Sequence, residues 1–185
     1  MRFAVSFLVF LSVSNALSAK DTELKLYRPF GEEDHKARII KERVKGQCIQ
    51  QSERIKREDA WRCEALGKIW DPCFIRQFGS MKVALCPQSP WEDSCIKIRL
   101  DKPGDNAQFI ALDMSKTYPW AIELANGQHC LARAKGLVFD TLPVRYDCDA
   151  QIQLFGPLQR CNTTWTMMQK KGSAVETVEI ERAWF

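Results

Sequence analysis

The sequence predicts an all-β fold, mainly antiparallel and built as a sandwich or barrel, held by disulfide staples and preceded by an N-terminal signal peptide. Three observations lead there. Short runs rich in β-formers recur after residue 60, separated by Gly, Pro and Asn-Gly, and no long 3.6-residue apolar period interrupts them. Eight cysteines, an even number, all lie beyond the first 47 residues. The leader has the anatomy of an export signal.

Arg2 supplies a positive start, Ala4 to Val13 an apolar run, and Ala16-Leu17-Ser18-Ala19 small residues for cleavage after Ala19 or Ser18. The run is too short to span a bilayer, which takes about 20 residues. Residues 1–19 are therefore expected to be removed, leaving 166 of 185 residues exported to the periplasm or the extracellular space; losing Arg2 takes the net charge from +4 to +3. Between residues 20 and 60 acids and bases alternate closely. That pattern makes a solvated surface, not the clustered cationic face that nucleic acid or an anionic membrane requires. Neither nucleic-acid binding nor stable membrane insertion after cleavage is expected.

Residues 20–36, with Pro29, Gly31 and the acidic patch Glu32-Glu33-Asp34, read as a flexible N-terminal arm. Residues 37–185 read as a single disulfide-bonded β domain. Ala37 to Val44 fits a strand or a short helix closed by Gly46. Cys95-Ile-Lys-Ile-Arg-Leu100 alternates apolar with basic, as a half-buried strand does. Trp120 to Leu124, then Asn126-Gly127, then His129 to Arg133 is the strongest hairpin signal. Val144 to Cys148, Ile152 to Phe155, Thr163 to Met167 and Ala174 to Ile180 complete the strand-like runs. The terminal Trp184-Phe185 is costly to leave in water, so the last strand is expected to pack on the core.

Behind a signal peptide, the even cysteine count reads as disulfides. The closest pair, Cys86 and Cys95, is nine residues apart, too far for the paired ligands of structural zinc, and no Cys-x-x-Cys redox motif occurs. In meandering β structure sequence neighbours are spatial neighbours. This favours Cys48–Cys63, Cys73–Cys86 and Cys130–Cys148, and leaves Cys95–Cys161 as the fourth bond.

Motifs for zinc proteases, serine hydrolases and nucleotide-binding loops are absent. The two histidines, His35 and His129, give little scope for a nucleophile–base pair. Asp71, Asp93, Asp113, Glu123 and Asp140 offer carboxylates, yet no spacing selects a pair. Asp71, before Pro72, reads as a turn cap. Most of the six tryptophans are expected in the core beside disulfides. Trp91 and Trp120 follow prolines and sit at strand entrances, where they would edge a groove; with His129 they form the candidate binding surface. No catalytic residue, metal ligand or cofactor is predicted. Asn162-Thr163-Thr164 matches the glycosylation acceptor pattern.

Lys45-Gly-Gln-Cys48, Asp59-Ala-Trp-Arg-Cys63, Asp71-Pro-Cys-Phe74, Cys86-Pro87 with Pro90-Trp91, Pro119 to Gly127 with Cys130, Tyr146-Asp-Cys148, Gly156, Trp165-Thr166 and Ala183-Trp-Phe185 occur in this order. In these motifs, over residues 45–185, the chain resembles a family of small exported bacterial proteins to which no activity is attached. The resemblance implies export, one disulfide-bonded domain and a scaffold of Trp, Cys, Gly and Pro. It also implies that six cysteines belong to the family pattern while Cys95 and Cys161 are additions, which suits their pairing.

The expected function is a non-enzymatic binding or interaction protein with a protein or glycan partner. One alternative is a cell-wall or polysaccharide hydrolase using Asp113, Glu123 or Asp140. Another is an inhibitor of a hydrolase such as lysozyme, on the slender basis of Tyr146-Asp-Cys148-Asp149.

Overall fold

The computed structural model describes residues 20–31, 38–76, 81–105 and 107–185; the leader, the acidic patch of the arm and His35 lie outside them. Twelve strands and one 3-10 turn make up the described structure. The fold is all-β and closes on itself twice. Strands β2 (Ile39–Gln51), β3 (Ala60–Ala65), β4 (Lys68–Ile75), β5 (Val83–Pro87) and β6 (Ser94–Leu100) form a closed five-stranded barrel. Strands β7 (Ala121–Leu124), β8 (His129–Phe139), β9 (Leu142–Cys148), β10 (Gln153–Gln159), β11 (Trp165–Lys171) and β12 (Ala174–Trp184) form a second meander, and β12 pairs back onto β7.

Strand parity dictates how each barrel closes. In an up-and-down meander with an odd strand number the first and last strands run the same way; with an even number they oppose. Accordingly β2 and β6 pair in parallel, while β12 and β7 pair antiparallel. Closure removes the open edges through which sheets aggregate. The hairpin expected around Asn126-Gly127 forms between β7 and β8, with Gly127 at φ 81°, a left-handed conformation glycine adopts without strain. Gly46 does not end a strand. It lies mid-way along β2, where an added Cβ would collide with the Glu64 carbonyl of β3, so only glycine permits that approach.

The described part of the N-terminal arm is not loose. Strand β1 (Glu23–Lys25) pairs in parallel with the end of β12, on the edge that β11 has vacated. The Thr22 hydroxyl donates to the Ile180 carbonyl and accepts from the Trp165 N–H, stitching β1 to both neighbours. Tyr27, just beyond, is buried. The arm is held because its backbone pairs with β12 and its Tyr27 ring packs into the second core.

The five-stranded barrel encloses Trp61, Ile75, Ile96, Ile98, Leu100 and the cysteines of β3, β4 and β5. The second core gathers Ile122, Leu124, Tyr146, Leu154, Met167 and Ile180. Strand alternation joins the two. On β4, Cys73 and Ile75 point into the first barrel while Phe74 between them joins the second core, so four successive residues are buried. Phe74, Tyr27 and Trp120 contact one another ring to ring at 5.3 to 6.0 Å. Arg57 stands beside them, with its guanidinium 5.0 Å above the Phe74 ring. It donates to the Tyr27 carbonyl (2.6 Å), the Phe185 main-chain oxygen (3.0 Å) and Asp59 (2.7 Å). One guanidinium thus ties strap, C-terminus and first barrel together. Phe185 is fully buried, as its apolar ring predicts, and Trp184 is half-buried.

Three disulfides form: Cys48–Cys63, Cys73–Cys86 and Cys130–Cys148. Cys48 faces Cys63 in register across β2 and β3, and Cys130 faces Cys148 across β8 and β9. The expected Cys95–Cys161 bond does not form. Cys95 is a buried thiol on β6, whereas Cys161 is exposed after β10 in the other barrel. Elimination placed these two together, but each barrel closes on its own strands and keeps them apart.

Candidate functional site

Two of the three candidate surface residues meet, and the third does not. Trp91 stacks on His129, with ring centroids 4.2 Å apart and planes 14° from parallel. Trp184 meets Trp91 edge-on at 5.7 Å. Trp120 is instead fully buried, packed edge-on against Tyr27. Pro119 turns its indole into the core because the residue after the proline starts the hairpin on the inward phase; the sequence shows the entrance but not the phase.

A row of polar side chains extends from this aromatic shelf. Glu23 of β1, Arg182 of β12, Glu123 of β7 and His129 of β8 are direct cross-strand partners, which places them on one face. Arg182 donates to Glu23 (2.8 Å) and to Glu123 (2.6 Å), and the His129 Nε2 lies 4.0 Å from Glu123. Hydrogen bonds from Lys25 and Arg182 hold the Glu23 carboxyl below its usual range. The sheet thereby presents a pre-paired electrostatic rail.

The rail borders a cleft of about 360 Å³ under the strap, walled by Lys25, Tyr27, Arg28, Arg38, Arg182 and Trp184 among others. A second compartment of about 410 Å³ shares Arg38 as a wall and is lined by Phe30, Arg76 and Lys97, with apolar Ile40, Val83 and Leu85. Six cations line the two compartments, and among the described residues no carboxylate lines either. Arg38 is poised by the Glu92 carbonyl (3.2 Å), by Asp93 (3.8 Å) and by the Tyr27 ring (5.0 Å to the centroid). Arg76 lies over Phe30 at 5.3 Å. Burial pushes the Tyr27 phenol up to about 12, and its hydroxyl has no hydrogen-bond partner among the described residues. Burial also raises the Cys95 thiol, against the pull of Arg38 and Lys97. Such a surface can hold an anion by charge and a flat apolar face by stacking.

Comparison with protein-family models, with curated proteins and with solved structures gives no match.

The carboxylates take other work. Asp113 is exposed, accepts from Ser115 and Lys116, and is held below its usual range by those bonds. Glu123 is paired to Arg182, and Asp140 is exposed in the tight β8–β9 turn at φ 47°. The three stand on separate elements. Asp71 caps a turn, as expected, but one contributed by the end of β2: it accepts from the Ser52 hydroxyl and the Glu53 N–H. In the Tyr146-to-Asp149 stretch Tyr146 is buried and donates to the Pro119 carbonyl, Asp147 pairs with Arg133, Cys148 is bonded to Cys130, and Asp149 accepts from the His129 N–H. The Sγ atoms of Cys63, Cys73 and Cys86 lie within 4.8 Å of one another, but as disulfide sulfurs they are already spent on S–S bonds.

Arg38, Arg182, Trp184, Lys25 and Arg28 escaped the sequence reading. They come from the arm, from a loop and from the last strand, and no local pattern links them. The one available hint was Lys25-Leu-Tyr-Arg28, an aromatic between cations inside a stretch otherwise read as solvated.

Proposed function

We propose that this is an exported, non-enzymatic binding protein whose cleft under the N-terminal strap takes an acidic glycan. The observation that carries the reading is the lining: six Lys and Arg side chains, of which Lys25, Arg38 and Arg182 pair with Glu23, Asp93 or Glu123 outside it, and no carboxylate among the described residues of the lining itself, beside the Trp91–His129–Trp184 shelf. Uronate or sulfate groups would answer the cations, and sugar faces would lie on the rings. Export draws support from three disulfides, which form and persist in oxidising compartments. No helix among the described residues is long and apolar enough to cross a membrane.

Tryptophan fluorescence titration with uronic-acid oligosaccharides and with neutral oligosaccharides of equal length tests the reading. The acidic series should perturb the emission of Trp91 and Trp184 and the neutral series should not. Arg38→Ala should weaken binding by about tenfold, the loss of one charge-assisted contact. Equal binding of both series would overturn the charge-based reading. Release of new reducing ends during the titration would overturn the non-enzymatic one.

A further inference from the structure

The compartment of about 410 Å³ differs from the cleft beside it in the chemistry of its walls. It lies between the outer wall of the first barrel and the Pro29-Phe30 segment just past β1. Ala84 and Ile98 belong to the interior of that barrel, so the alternate side chains Val83, Leu85 and Lys97 face outward. Leu85 and Lys97 are direct cross-strand partners, which sets a cation against hydrocarbon. Leu85 is buried although it belongs to neither core. Ile40 and Phe30 add to the apolar lining.

The three cations of this lining are unequally employed. Arg38 is bound to the Glu92 carbonyl and to Asp93. Arg76, at the end of β4, lies 5.3 Å over the Phe30 ring. Among the described residues neither Arg76 nor Lys97 has a side-chain hydrogen bond or ion pair, and no carboxylate lines the compartment. Arg76 is exposed and Lys97 half-buried, so both are open to a ligand. A cation beside hydrocarbon attracts a counter-anion more strongly than one on an open surface, because the local dielectric is lower. The same walls suit a sugar poorly: hydroxyls pressed on Ile40, Val83 and Leu85 would give up water and find no acceptor. An aliphatic chain loses nothing there and gains by burial.

We infer that this compartment binds a free amphiphilic anion, a single alkyl chain ending in a carboxylate, with the chain on the apolar walls and the head answered by Lys97 and Arg76. The inference goes beyond the glycan reading and does not rest on it. Equilibrium dialysis of the full disulfide-bonded chain against octanoate, butyrate and 1-octanol tests it. Each buried methylene is worth about fourfold in affinity, so butyrate should bind at least about tenfold more weakly than octanoate. Octanol, which keeps the chain and lacks the charge, should also bind at least about tenfold more weakly. The double variant Arg76→Gln/Lys97→Gln should weaken octanoate by about tenfold or more and leave octanol unchanged. Lys45→Gln, at an exposed β2 position, should leave octanoate unchanged. No uptake of octanoate up to about 10 mM, butyrate or octanol binding as tightly as octanoate, or a double variant equal to Lys45→Gln would overturn the inference. Association with phosphatidylglycerol vesicles without uptake of octanoate would overturn it too, in favour of a membrane surface. If the double variant fails to fold, the three probes on the parent protein decide alone. Failure of uronic-acid oligosaccharides to bind would leave the result standing, because octanoate reports this compartment and the emission of Trp91 and Trp184 reports the cleft.

Discussion

The two barrels use one topology and opposite means of filling it. The five-stranded barrel is narrow. Three disulfide sulfurs crowd its centre within 4.8 Å of one another, and two of the three disulfides tie its strands. The six-stranded barrel is wider, has one disulfide at its β8–β9 edge, and is filled by Ile, Leu, Met and Tyr side chains. A short meander cannot enclose many large apolar groups, so covalent bonds replace burial. One more strand provides room for hydrocarbon, and the staple becomes a supplement.

The largest effect expected from this contrast comes from replacing Cys48, Cys63, Cys73 and Cys86 with alanine. Loops of about 15 residues are worth about 3 kcal/mol each on a chain-entropy argument, hence about 6 kcal/mol for the two bonds. That is a large share of a typical folding free energy of about 5–15 kcal/mol. Hydrogen exchange should show amides of β2–β6 losing protection while those of β7–β12 retain it. Loss of protection throughout would mean that the barrels fold as one unit and would break the comparison.

Next in size is Phe74→Ala. This ring leaves the first barrel's wall to enter the second core, and truncating a buried Phe costs about 3–5 kcal/mol. Denaturant unfolding should broaden or split into two transitions as the barrels uncouple. A single transition of unchanged slope, merely shifted, would show that the Arg57 clip couples them without the ring.

The smallest effect separates strap from barrel by pH. Glu23 has its folded pKa depressed, so its contribution is present above 4.5 and is lost as pH falls through the lowered value. Asp59 and Asp71 are raised by burial, so between 3.8 and their raised values their contribution declines as pH rises. Amide protection factors of the strap, corrected for the intrinsic exchange rate at each pH, should therefore fall on acidification below pH 4.5, and Glu23→Gln should flatten that response while leaving β2–β6 unaffected. Strap protection factors insensitive to pH in the parent protein would remove Glu23 from its anchoring.

How much was legible from sequence differs by range. The strands of the second barrel were visible because alternation and turn residues act locally: the Asn126-Gly127 hairpin and the runs near 144–148 and 174–180 correspond to β7–β8, β9 and β12. Strand β2 was misjudged at Gly46, because its glycine answers a neighbour's carbonyl and not a turn. Of the candidate site, Trp91 and His129 were legible as rings near strand starts, and both are half-buried. Their stacking was not, since residues 91 and 129 belong to different barrels.

The sequence by itself determined the all-β class and the three local disulfides, because antiparallel neighbours separated by 13 to 18 residues bring their cysteines opposite each other with no help from the rest of the chain. Only the tertiary structure decided that the strands close into two barrels, that Cys95 and Cys161 stay apart, that Trp120 is core, and that residues 25–28, 38 and 182–184 meet around one cationic cleft. Closure and convergence depend on strand count and on which face each long-range partner covers, and neither is recorded in a local pattern.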